Sequence, residues 1–152
     1  MKTSRKLLSV SIVAASLGST VPAQSQMLEE VIVTAQKRQE SLQDTPVAIS
    51  AVTSEALIAS GINSQIDLPK IVPNLSFNVV TTFASPYLRG VGTSFALPGL
   101  ENSVPVYFDD AYLPRASSGL FSFGDIERIE VVKGPQGTLY GRNATGGAIR
   151  VI

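Results

Sequence analysis

The chain has 152 residues, 44% of them hydrophobic, with twelve basic and twelve acidic residues and neither cysteine nor histidine. That composition excludes disulfides, thiol chemistry, histidine general bases and the usual zinc ligand sets. The balanced charge also lacks the basic footprint that nucleic acid requires, and one domain is the prior for this length.

Met1 to Lys6 carries Lys2, Arg5 and Lys6 without an acid, and the apolar stretch LLSVSIVAASLGSTV leads to Pro22-Ala23. This is the layout of a secretory signal peptide, expected to be cleaved after Ala23 or within a few residues of it. A membrane anchor needs about 20 consecutive apolar residues, and serines interrupt a shorter run here. With residues 1–23 removed, twelve acids face nine bases.

Residues 24–40 are expected to form a flexible N-terminal segment holding one β-prone strip, made of Glu30, Val31, Ile32, Val33, Thr34 and Ala35. The charged stretch Gln36 to Asp44 after it has no apolar period and reads as a linker. A hydrophobic strip so placed cannot bury itself locally. It is either an edge strand of the domain or an exposed docking strip that adds a strand to a partner's sheet edge.

Pro46 to Val52 reads as a strand, after which Thr53 or Ser54 caps a short helix, EALIAS, that Gly61 stops. Asn63 is placed to cap a second helix, SQIDLPKI, weakened by Pro69 and closed by Pro73. Leu75 to Val80 alternates like a strand, and Tyr87-Leu88-Arg89 is a second extended piece. Val104 to Leu113 carries Asp109-Asp110 between two apolar arms, a hairpin signal. A turn or single helical turn over Phe121 to Arg128 precedes a strand at Ile129 to Val132, and Ala148 to Ile152 reads as the last strand. The pattern predicts a mixed α+β domain over residues 41–152.

The segment GPQGTLYGRNATGG, Gly134 to Gly147, holds five glycines in fourteen residues. Neither phosphate-binding spacing, G-x-x-x-x-G-K-[ST] or G-x-G-x-x-G, is present, Lys133 precedes the loop, and Pro135 removes an N–H that an anion cradle would use. Glycine's other use, positive φ and close backbone approach, fits better. No nucleophile motif of the G-x-S-x-G or S-x-x-K kind occurs, so no enzyme, catalytic residue or cofactor is expected. Asp109-Asp110 reads as a turn and not as a metal site, since Ca2+ takes six to eight oxygens and no further acids lie close in sequence.

In order, EEVIVTA, LQDTPVAISAVTSEAL, LPKIVPNLSF, YLRGVG, VPVYFDDAYLP and IERIEVVKGPQGTLYGRNATGGAIRVI resemble the N-terminal part of a TonB-dependent outer-membrane receptor, from about Glu29 to Ile152. The resemblance implies that Glu30 to Ala35 is the TonB box, handed to the periplasmic C-terminal domain of TonB as an extra strand. It implies that residues 41–152 are a plug of mixed sheet and short helices seated in a β-barrel. Arg89, Lys133, Gly134, Gly137, Gly141, Arg142, Gly146 and Gly147 would then face the barrel wall, with Lys133 standing where the family usually has Arg, which loses a bidentate fork. Thr82, Phe83, Phe95, Leu97, Phe121 and Phe123 are the residues expected on ligand-facing loops, for a small molecule such as an iron chelate. A barrel needs at least eight strands of about 9–11 residues, so the sequence is expected to be a plug without its barrel: a truncated product, or a partner of a separately encoded barrel. Export to the outer membrane follows, or to the periplasm if the domain acts alone as a binding module.

Overall fold

The computed structural model describes residues 31–81, 83–95, 99–115 and 122–152. The expected leader, residues 1–23, and the candidates Glu30, Thr82, Leu97 and Phe121 lie outside the described residues.

In chain order the elements are β1 (Ile32–Val33), β2 (Glu40–Ser41), β3 (Ile49–Thr53), α1 (Ser54–Ala59), a 3-10 helix (Gln65–Lys70), β4 (Leu75–Val80), β5 (Phe83–Leu88) and β6 (Val91–Gly92). They continue with β7 (Val106–Phe108), β8 (Ala111–Leu113), β9 (Arg128–Lys133), α2 (Gly137–Tyr140) and β10 (Gly147–Val151). Five strands build the main sheet in the order β3-β9-β10-β7-β8, where only β10 and β7 run parallel. β4-β5-β6 form an antiparallel meander, and β1 pairs antiparallel with β2. This is the mixed α+β arrangement that the pattern predicts.

Local chemistry accounts for most of these elements. Thr53 is extended and its Oγ1 accepts from Ala56 N–H, which starts α1, while Gly61 at φ +65° ends it. Asp109 and Asp110 both adopt positive φ, 46° and 64°. That pair of left-handed residues is the two-residue turn whose twist matches a hairpin, and β7 and β8 close on it as expected.

Four elements differ from expectation. Ser64, not Asn63, precedes the second helix, which is a 3-10 helix with Ser64 Oγ on Asp67 Oδ2 at 2.7 Å; Pro69 inside it lacks the N–H a longer α-helix would use. β5 extends back to Phe83 although Pro86 lies in it, because β6 pairs only with Tyr87 and Leu88, so the missing N–H breaks no ladder bond on that side. The linker over Gln36 to Asp44 contains β2, which folds back on β1 after the positive-φ residue Lys37. Among the described residues of Phe121 to Arg128 there is no helical turn; Ser122 bridges to Ser64, and Arg128 already begins β9.

The main core lies on one face of the five-stranded sheet. Val52, Ile129, Val131, Ile149 and Val151 project into it from β3, β9 and β10, and Leu57, Leu68, Val72, Leu75 and Leu88 close it from the helices and the meander. Apolar burial of this kind stabilises by about 25 cal/mol per Å2.

Candidate functional site

Alternation along a strand sends successive side chains to opposite faces. With Ile129 and Val131 in the core, Glu130 must emerge on the sheet's other face, and with Ile149 and Val151 in the core, so must Arg150. Register then lines up one row across the sheet, Ala51, Glu130, Arg150, Tyr107 and Tyr112. An acid and a base thus stand directly opposite each other in the two central strands. They are nevertheless buried, Glu130 at 0% and Arg150 at 4% exposure, because something covers them.

The cover is the N-terminal strip. Val33 and Ala35 are each 1% exposed, whereas Ile32 is 51% exposed. Thr34 sits over the charged pair: its N–H donates to Glu130 Oε1 at 2.8 Å, and its Oγ1 accepts from Arg150 Nη1 at 2.7 Å and Arg128 Nη2 at 3.2 Å. Arg150 Nη1 also donates to Glu130 Oε2 at 2.7 Å and Nη2 to Asp110 Oδ1 at 2.9 Å, while Arg128 Nε reaches Glu130 Oε1 at 2.9 Å. Desolvated charges are tolerable only when paired and hydrogen-bonded in this way. Lys37 completes the arrangement, with Nζ on Asp110 Oδ1 at 2.7 Å and over the rings of Tyr107 and Tyr140, 5.7 and 5.4 Å from their centroids.

Asp110 is held below its ordinary carboxyl value by hydrogen bonds from Lys37 and then Arg150. Tyr140, buried from α2 against Ala144 and Ala148, donates its hydroxyl to the carbonyl of Ala35. Burial pushes that phenol up to about 12. A raised phenol value means that the folded state favours the neutral donor. Its contribution is therefore complete below the ordinary value near 10 and is lost as pH rises through about 12. Equilibrium unfolding across that window is expected to show a steeper loss of stability for the native chain than for Tyr140→Phe.

The other predicted residues fall into separate places. Arg89, at φ +53° just past β5, comes beside Lys133 and Gly134: an added Cβ on Gly134 would lie 3.9 Å from Arg89 Nη1. Lys133 is pushed below its ordinary value by burial and by the charge of Arg89. Neither cation has an ion-pair partner among the described residues. Arg142 is apart from them, 3.7 Å from Glu101. Gly137 and Gly141 are exposed.

Gly146 and Gly147 correct the expectation that all these glycines face a wall outside the domain. Both are buried, and a Cβ on Gly146 would lie 2.8 Å from Val104 Cγ2, one on Gly147 2.1 Å from the Val132 carbonyl oxygen. The space too narrow for side chains is inside the domain, between β10 and its neighbours. Phe123 packs half-buried against the main core and its N–H donates to Asn63 O at 2.9 Å. Phe83 is half-buried, and Phe95 is 72% exposed.

Glu130, Arg150, Arg128, Tyr140 and Asp110 were not singled out as partners of the strip. A signal existed for two of them: Glu130 stands between Ile129 and Val131, and Arg150 between Ile149 and Val151, each a charge between two β-branched apolar residues.

Comparison with known proteins adds to this geometry. Residues 41–148 match the family model described as TonB-dependent Receptor Plug Domain. The chain is 31% identical over 128 residues to the pesticin receptor of Yersinia pestis, covering 80% of this chain and 18% of that protein. It is 29% identical over 135 residues to the iron-regulated outer membrane virulence protein of Vibrio cholerae, covering 82% and 20%. Among solved structures, the ferric yersiniabactin uptake receptor FyuA from Yersinia pestis superposes with a TM-score of 0.62 at 28% identity, over 69% of this chain and 16% of that one. The chain thus spans 18–20% of the length of these two curated relatives.

Proposed function

Because the chain belongs to the family of TonB-dependent receptor plug domains, we propose that it occupies the lumen of an outer-membrane β-barrel and serves energised uptake of a scarce ligand such as an iron-siderophore complex. The barrel is encoded in the same chain or separately. Ligand binding at the outer loops releases the strip Glu30 to Ala35, TonB pairs with it and pulls, and the least stable part of the plug opens first. No catalysis is involved.

The observation that carries this reading is the way the strip is held. Just before the matched region, an extended β-prone segment lies on a polar sheet face, fastened there by side chains and paired with only a two-residue strand. Such a segment can leave without breaking the main sheet. Arg89 and Lys133, which have no ion-pair partner among the described residues, support the second half of the reading, because two like charges side by side call for acids on a facing surface, here the barrel wall. The exposed Phe95 supports a ligand-facing loop.

Burial of Val33 and Ala35 favours a second reading, in which the domain works alone in the periplasm and the strip is a permanent edge strand. Val33→Pro separates the two. It removes a strand donor and fixes φ, so uptake by a receptor carrying its barrel is expected to fall to a small fraction of the unmutated level at equal surface abundance. Undiminished uptake would overturn strand addition.

A further inference from the structure

A segment that is to be added to a partner's sheet must offer its own edge groups. In the docked strip, groups on both edges are already taken. On one side Val31 O accepts from Leu42 N–H at 2.9 Å and the register of Ile32 with Ser41 and Val33 with Glu40 fills the ladder. On the other, Thr34 N–H is taken by Glu130 Oε1 at 2.8 Å and Thr34 O by Lys37 N–H at 2.9 Å. The carbonyl of Ala35 is taken by the Tyr140 hydroxyl.

The geometry points to an intramolecular latch: the buried Glu130–Arg150 pair, with Tyr140, clamps Thr34 and Ala35 on the sheet and withholds the strip from a partner strand, and the β7–β8 hairpin tip controls the clamp through Asp110. The inference rests on the proposed role of the strip and adds the device that regulates it. Among the described strip residues, Thr34 alone is bonded by both members of the pair, one through its N–H and the other through its hydroxyl. Arg150 spends its second nitrogen on Asp110, and the same Asp110 oxygen binds Lys37, two residues beyond the strip. A shift of the hairpin tip therefore withdraws the acid from Arg150 and from Lys37 in one movement.

The chemistry suits a latch better than a rivet. A buried ion pair adds little net stability over well-packed apolar residues, because desolvation offsets the attraction, and here Arg150 Nε is left without a partner among the described residues; yet the pair tolerates only one arrangement of partners. The clamp defines a single docked register and still opens without a large barrier of its own. The stable neighbours, β9 and β10, stay in place as the strip departs.

The test is hydrogen exchange of the Thr34 amide in the full chain, with the Val131 amide of β9 as internal control. Glu130→Leu/Arg150→Met removes the clamp while leaving apolar side chains in its place. Thr34 exchange is expected to quicken by about tenfold or more, with Val131 still protected. Unchanged Thr34 exchange overturns the latch. If Val131 also loses protection, the core has been disturbed, and the decision passes to Tyr140→Phe and Asp110→Asn, which leave the pair intact. Each should quicken Thr34 alone, and no change in either overturns the latch.

Capture by the TonB periplasmic domain is measured on the same variants. Faster exchange together with stronger capture upholds both the latch and the proposed function. Faster exchange without capture upholds the latch and overturns TonB as the partner.

Discussion

Gly147→Ala is expected to destabilise the domain by about 3 kcal/mol or more, enough to leave much of it unfolded. Two costs add. The residue sits at φ +142°, a conformation that L side chains rarely adopt, and its new methyl would lie 2.1 Å from the Val132 carbonyl oxygen and 2.8 Å from Leu88 Cδ1. Gly147 faces Lys133 at the first rung of the β9–β10 ladder, so relief by a backbone shift would open the central pair of the main sheet. Gly137→Ala is the control: nothing lies within 4 Å of its Cβ position, and it begins α2. Alanine there is expected to be neutral or to stabilise by roughly 0.5 kcal/mol. Urea unfolding of the two variants decides the matter, and equal midpoints would show that the close approach at Gly147 does not exist.

Glu130→Ala is expected to cost about 3–5 kcal/mol, the range for breaking a buried ion pair from one side. The loss comes less from the missing attraction than from what remains. Arg150, 4% exposed, would keep its charge with Asp110 alone as an acid beside it among the described residues, and Thr34 N–H would lose its acceptor. Removing both members of the pair is expected to cost far less than removing one. A double-mutant cycle of Glu130→Ala and Arg150→Ala should therefore show strong coupling. Additive losses in that cycle would mean that the two side chains do not depend on each other.

Legibility followed the range of the interactions. Thr53, Gly61 and the Asp109-Asp110 turn act on neighbours within a few residues, and α1 and the β7–β8 hairpin formed where local chemistry placed them. β4, β9 and β10 were visible through their apolar residues. β2 was missed because Glu40 and Ser41 carry no strand signal of their own; they are extended because β1 lies alongside. The glycines split for the same reason. Clustering revealed that backbone would come close to something, but the partners of Gly146 and Gly147 are Val104, Val91 and Val132, at sequence distances that no local pattern spans.

From the residues alone came the α+β class, the absence of cysteine and histidine chemistry, the order of the elements and the existence of a β-prone strip apart from the rest. Each of these is a property of composition or of near neighbours along the chain. What covers the strip, and what the strip covers, was decided only when five strands took their register and set Glu130 opposite Arg150. Thr34 is 96 residues from Glu130 and 116 from Arg150. Contacts of that span depend on which strands pair and in what register, and one residue's slip would have turned both charges into the core.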